Sequence, residues 1–204
     1  MSYKFDPENP FRNQQTKPKN DVNTNAAEPK GLRIEHFFST KGVHPFEQLQ
    51  WESRSAKITN DAGDAIFEQN NIEVPASWSQ LATKVVSSKY FYGDIDSGQR
   101  ENSAKQLVHR VCKAIADRGK RDGYFATNED ADAFYNELTW LCINQYGAFN
   151  SPVWFNVGLF DVYGIAGSNH NFRWDDRQQK AVPCENSYEY PQASACFIQS
   201  VKDS

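Results

Sequence analysis

Three times between Ser77 and Gly147 the sequence sets a hydroxyl residue three positions ahead of a Gln or Asp, with apolar residues at helical spacing behind it. In that arrangement the hydroxyl accepts an orphan backbone N–H of a first helical turn, and the second side chain reaches back to the cap. The pairs are Ser77 with Gln80, Ser103 with Gln106, and Thr127 with Asp130. They predict inner faces of Leu81, Ala82, Val85 and Val86, then Leu107, Val108, Val111, Cys112 and Ile115, then Phe134, Leu138, Leu141 and Cys142. Gly119 and Gly147 are placed as stops for the second and third helices. Ahead of the helices, Ser55–Thr59 and Asp64–Glu68 flank the turn formers Asn60–Gly63, which predicts a β-hairpin with a four-residue loop. Trp51–Arg54 leads into it, with Trp51 read as packing and Arg54 as a surface charge. A mainly helical region with a small hairpin is therefore expected over residues 31–147.

Residues 1–30 carry Asn, Lys, Pro and Gln and hardly an aliphatic side chain, so they are expected to form a disordered polar tail. That tail helps to lower the mean hydropathy to −0.74 although 39% of residues are hydrophobic. A net charge of −4 with mixed signs gives no reason to expect nucleic-acid binding or an anionic membrane as partner. No apolar run approaches the length of a bilayer span and no signal-peptide core opens the chain, so a soluble, cytoplasmic protein is the expectation. Cys112, Cys142, Cys184 and Cys196 form no CxxC and no metal-ligand spacing, and the expected number of metal sites is none. Cys112 and Cys142 fall on helical apolar stripes and read as small buried hydrophobes.

Two patches concentrate less ordinary chemistry. In Phe149–Gly158, Pro152 fixes its own φ and biases Ser151 away from helix, so the chain should turn or extend there. Asn150 and Ser151 offer short donors and acceptors over the hydrophobic base of Val153, Trp154 and Phe155. By composition alone an ordinary turn over an aromatic cluster outweighs a ligand site. The aromatic Lys89–Gly93 stretch is either a packing seam or a partner-facing patch, with packing the stronger prior. Residues 159–191 form a long connection with short strands expected at Phe172–Trp174 and Lys180–Val182, and with His170 and Cys184 unassigned. The second patch, Gln192–Val201, is an extended run in which Cys196 follows Ala193, Ser194 and Ala195. Small neighbours admit a ligand to the sulfur, yet a lone cysteine on a strand is more often simply buried.

Taken in order, Glu73–Pro75 through Trp78–Gln80, Lys89–Phe91, Gly123–Ala126, Phe149–Gly158 and Gln192–Phe197 resemble the N-terminal portion of the adenosylcobalamin-dependent (class II) ribonucleotide reductases in their long form. The resemblance covers roughly Gly31 to the end. It implies an α/β architecture: a mainly helical N-terminal region with a small β-hairpin, leading into the first strand, 192–201, of a ten-stranded α/β barrel. The domains implied are the tail 1–30, the N-terminal region 31–147, and the start of the catalytic barrel at 148–204.

By the same resemblance, Ser151 contacts the bound ribonucleotide and the backbone of Ala195 helps to hold it. Cys196 is one of two cysteines that deliver electrons to the ribose, its partner lying far downstream, and Asp203 belongs to an allosteric site for a deoxynucleotide effector near a homodimer interface. Adenosylcobalamin would generate a thiyl radical on another cysteine, and a thioredoxin-type reductant would restore the dithiol. The radical cysteine, the second redox cysteine and most cobalamin contacts match nothing before Ser204, so the chain by itself is expected to be an inactive fragment whose lone barrel strand leaves an open edge. Two readings of other classes stand beside this one: a non-catalytic nucleotide-binding or dimerisation module, and an unrelated helical interaction domain in which Cys196 is inert.

Overall fold

The structure is a computed structural model that describes residues 30–165, 172–183 and 193. Elements run β1 (Trp51–Thr59), β2 (Ala65–Pro75), α1 (Gln80–Lys89), α2 (Ala104–Arg121), α3 (Asn128–Ile143), α4 (Ser151–Asn156), α5 (Leu159–Tyr163), β3 (Phe172–Asp175) and β4 (Lys180–Pro183). Helix and strand mix here without a closed barrel among the described residues. The expected barrel strand 192–201 lies outside those residues apart from Ala193, as does the tail up to residue 29. Among the described residues no helix is long and apolar enough to cross a membrane.

β1 and β2 pair antiparallel from Trp51 opposite Pro75 to Thr59 opposite Ala65, so the strands run well beyond the expected limits and take in Trp51–Arg54. The register slips between Arg54 and Ala56, where β2 carries the surplus residue and Asn71 takes φ 56°. Asn tolerates the left-handed region better than most residues, which suits it to such a bulge. Beyond the bulge Ile72 and Val74 are completely buried. They pack with Trp78, Phe91, Leu107, Val108, Val111, Cys112, Ile143 and Trp154 in one core between the hairpin base and α2 and α3. β3 and β4 form a separate small hairpin close to the expected strands.

The capping boxes of α2 and α3 form as expected, with Ser103 and Gln106 bonded reciprocally and Thr127 and Asp130 likewise. The first helix starts differently. Its cap is Ser79, whose hydroxyl accepts the Ala82 N–H at 3.0 Å, and not Ser77. The reason is Trp78, which is buried and donates Nε1–H to the Ile143 carbonyl at 2.8 Å, so the chain must first turn the indole inward. The inner face changes accordingly: Leu81 is 70% exposed and Val85 is exposed, whereas Thr83 and Ser87 are completely buried. Their hydroxyls are satisfied by the carbonyls of Ser79 and Thr83 one turn back.

The stops move too. α2 passes through Gly119 to Arg121, and Gly123 at φ 74° supplies the left-handed turn. Gly119 serves close packing instead, since a Cβ there would sit 2.8 Å from the Phe125 ring. α3 ends at Ile143, four residues before Gly147, with Gln145 at φ 62°. Arg54 is no surface charge: its guanidinium donates to the carbonyls of Trp78 and Ala76 and to the Thr83 hydroxyl. Cys112 and Cys142 are free and buried, as read from their stripes.

Residues 31–50 are laced onto α3 by its acids: Asp130 accepts the Ile34 N–H, and Glu137 accepts those of Phe38 and Ser39. A directed chain of bonds completes the attachment. The Phe46 N–H donates to His44 Nδ1, so neutral His44 carries its proton on Nε2, which lies 3.2 Å from the Tyr135 hydroxyl. That hydroxyl is then free to donate to His109 Nδ1 at 2.7 Å. Burial pushes the Tyr135 phenol up to about 12 and holds both imidazoles below their ordinary value. A base with a depressed pKa favours folding while neutral, so this stabilisation is present above the unfolded value near 6.5 and is lost as pH falls through the lower folded values. The urea midpoint should therefore drop as the pH falls below about 6.5, and a His44→Gln, His109→Gln variant should flatten that slope; an unchanged slope would refute the assignment.

Candidate functional site

Within the segment 149–158, Ser151–Asn156 form a helix where the sequence predicts a turn or an extended run. α4 begins at Ser151 with Asn150 as its cap residue, and Pro152 occupies the first turn, where its missing N–H has no helical bond to make. The bias that proline exerts on Ser151 is overcome by what holds the far end. Trp154 is buried in the core and rests edge-on to Phe149 at 5.4 Å. Arg110 of α2 donates through Nη2 to the Trp154 carbonyl at 3.1 Å and through Nη1 to the Val157 carbonyl at 2.7 Å. Gly158, at φ 80°, lies so close to the Arg110 backbone that a Cβ would overlap its carbonyl oxygen.

Arg110 is itself fixed by Glu101, and both side chains are at most 1% exposed. Arg110 Nε donates to Glu101 Oε1 at 2.8 Å and Nη2 reaches Oε2 at 3.3 Å. The Tyr163 hydroxyl donates to Oε1 and the Tyr92 N–H to Oε2, both at 2.8 Å. Two carboxylate oxygens thus receive four donors, and the buried charges are fully paired. Burial and the neighbouring carboxylate push the Tyr163 phenol well above its ordinary range. Tyr163 also stacks on Tyr92 at 5.3 Å, so α5 is tied to the loop after α1.

The Lys89–Gly93 stretch resolves as a packing seam. Phe91 is buried, and the Tyr90 ring lies 5.4 Å from Phe155. The Tyr90 hydroxyl is 3.2 Å from Ser151 Oγ. Of the residues singled out in the sequence for a site, Ser151 alone is described, half-buried at the head of α4. Ala195, Cys196 and Asp203 lie outside the described residues, as do His170 and Cys184. Glu101, Arg110 and Tyr163 escaped the sequence reading. The signal for them was slight: Arg110 flanks the arc marked by Leu107, Val108 and Val111, one turn from Leu107 at i, i+3 spacing, where a buried cation needs a partner.

Among the described residues no cluster of three His, Cys, Asp or Glu side chains could hold a metal ion. A cavity beside α2 and α3, bordered by Lys113, Lys120 and Tyr135, measures about 40 Å³. That is room for water and far too little for a macrocycle.

Residues 52–145 match the family model described as class II vitamin B12-dependent ribonucleotide reductase. The chain is 54% identical over 175 residues to a vitamin B12-dependent ribonucleotide reductase of Rhodopirellula baltica, covering 85% of this chain and 17% of that protein. It is 39% identical over 176 residues to the Streptomyces coelicolor protein of the same name, covering 86% and 15%. A Bradyrhizobium diazoefficiens relative, also so named, is 33% identical over 206 residues, covering 84% and 16%. The chain thus spans about a sixth of the length of the curated relatives it matches.

Removing one member of the buried pair tests the site's construction. Glu101→Gln leaves the Arg110 cation without its counter-charge and should cost about 3–5 kcal/mol in urea unfolding. Gly158→Ala combines backbone strain with a clash against α2 and should lower stability by more than about 2 kcal/mol; a loss under 0.5 kcal/mol would count against the described contact.

Proposed function

The chain belongs to the class II vitamin B12-dependent ribonucleotide reductases, and from that premise we propose that it provides the front part of an enzyme converting ribonucleotides to deoxyribonucleotides for DNA synthesis. The observation that carries the proposal is the 54% identity over 175 residues to a reductase of that name, a stretch covering 85% of this chain. The site residues follow from the family. Ser151 contacts the bound ribonucleotide, and the Ala195 backbone helps to seat it. Asp203 contributes to a deoxynucleotide effector site near a homodimer interface. Residues 192–201 form the first strand of a ten-stranded α/β barrel that begins at about residue 148.

Cys196 is one thiol of a redox pair. The ribose C2′–O bond breaks and the oxygen leaves as water, while two thiols give up two electrons and two protons and become a disulfide. A thioredoxin-type dithiol reduces that disulfide by exchange. Adenosylcobalamin supplies the radical that starts the reaction. None of the described side chains is assigned to hold it. The reading places the enzyme in the cytoplasm, with no membrane or nucleic acid as partner.

The decisive residue is Cys196. In a polypeptide that continues this chain to the length of its relatives, Cys196→Ser should lower steady-state deoxynucleotide formation with thioredoxin by roughly a hundredfold or more, while nucleotide binding persists. The 204-residue chain assayed alone should show no turnover. Undiminished turnover by the serine variant would overturn the assignment, and nucleotide binding without any turnover in the extended polypeptide would favour a non-catalytic module.

A further inference from the structure

The contact between Tyr90 and Ser151 is the one polar contact described for the Ser151 side chain, and nothing in the packing demands it. Tyr90 caps the C-terminus of α1, with its N–H on the Val86 carbonyl, and its ring is seated on Phe155 at 5.4 Å. Its hydroxyl is thereby carried to 3.2 Å from Ser151 Oγ. Ser151 rides on a helix whose opposite end is gripped at two carbonyls by the fully buried Arg110. With the far end of the helix so held, the freedom left to the Ser151 side chain is rotation about its Cα–Cβ and Cβ–Oγ bonds.

A phenol is a much stronger acid than an aliphatic alcohol and the better donor of the two, while the serine oxygen is the better acceptor. With Tyr90 donating to Ser151 Oγ, the serine proton can no longer point at Tyr90 and is turned away from it. We propose that Tyr90 is a positioning residue: its phenolic O–H orients Ser151 so that the serine hydroxyl is presented as a donor to an acceptor oxygen of the bound ribonucleotide. Of the acceptors that every ribonucleotide shares, the phosphate oxygens are anionic and therefore the strongest, so the class of ligand atom proposed is an anionic phosphate oxygen. The inference rests on the reading of Ser151 as a substrate contact. It assigns Tyr90 a task that phenylalanine, although it would pack on Phe155 equally well, lacks the hydroxyl to perform.

The test is a double-mutant cycle in the polypeptide that continues this chain to the length of its relatives, using Tyr90→Phe, Ser151→Ala and both together. Tyr90→Phe keeps the ring on Phe155, so its melting temperature should stay within about 1 °C of the parent. Its KM for the ribonucleotide should rise about three- to tenfold with kcat within about twofold, the size expected for one weakened hydrogen bond. Ser151→Ala should raise KM at least as much, and adding Tyr90→Phe to it should change KM no further. A KM unchanged in Tyr90→Phe but raised in Ser151→Ala would overturn the positioning role and leave the substrate contact intact. Additive effects of the two substitutions would likewise overturn it, assigning Tyr90 an independent structural effect. A Ser151→Ala variant with unchanged KM would overturn the substrate contact itself, and the inference with it.

Discussion

Burying an arginine and a glutamate together removes two full charges from water, at a cost of several kcal/mol for each ion that their mutual attraction offsets only if every remaining donor and acceptor is used. Glu101 and Arg110 meet that condition, and the way they meet it organises the protein. Their partners come from the loop after α1 through Tyr92, from α4 through the Trp154 and Val157 carbonyls, and from α5 through Tyr163. The Gln69 side chain on β2 adds a bond to the Glu101 carbonyl. Apolar contacts could hold these elements in many registers, because hydrophobic attraction has no direction. The ion pair, with its fixed donor geometry, accepts few. It therefore sets where the Ser151 helix stands relative to the three-helix core.

What could be read from the sequence was what local chemistry decides. The caps of α2 and α3 follow from side chains bonding to backbone within three residues, and both were legible at Ser103 and Thr127. The hairpin was legible from turn formers at Asn60–Gly63, and the strands beyond Phe172 from β-type residues beside a turn. The errors arise wherever a distant group decided the outcome. Ser79 replaced Ser77 because the Trp78 indole had to reach Ile143, 65 residues away. Thr83 and Ser87 displaced Leu81 and Val85 from the inner face because the Arg54 guanidinium and the turn above satisfy their hydroxyls. α4 became a helix because Arg110, more than forty residues earlier, donates to the carbonyls of Trp154 and Val157 at its far end. Of the proposed site, Ala195, Cys196 and Asp203 rest on family resemblance and lie outside the described residues, and Ser151 is the one whose surroundings are described.

The region ahead of β1 illustrates a different physical economy. Beside its apolar anchors Pro45, Phe46 and Leu49 it leaves Leu32 and Phe37 largely exposed, and its first part is held by backbone N–H groups donating to carboxylates of α3. Charge-assisted bonds of this kind are directional and individually stronger than neutral ones. They keep Asp130 and Glu137 ionised well below the ordinary carboxylate range, although partial burial of Glu137 opposes this. The attachment thus depends on proton concentration at two levels, the imidazoles below their ordinary range and the carboxylates in stronger acid.

Gly158 has a bearing on how such proteins can be dissected or recombined. Backbone meets backbone there, with no side chain in between to adjust, so the strand of chain carrying α4 is keyed to α2 like a tooth in its slot. A cut at residue 147, just past the last of the long helices, looks natural on a linear map but would strip the Arg110 guanidinium of two of its acceptors and open the core beside Trp154. Exchanging segments between relatives should accordingly move α2 and residues 149–163 as one block.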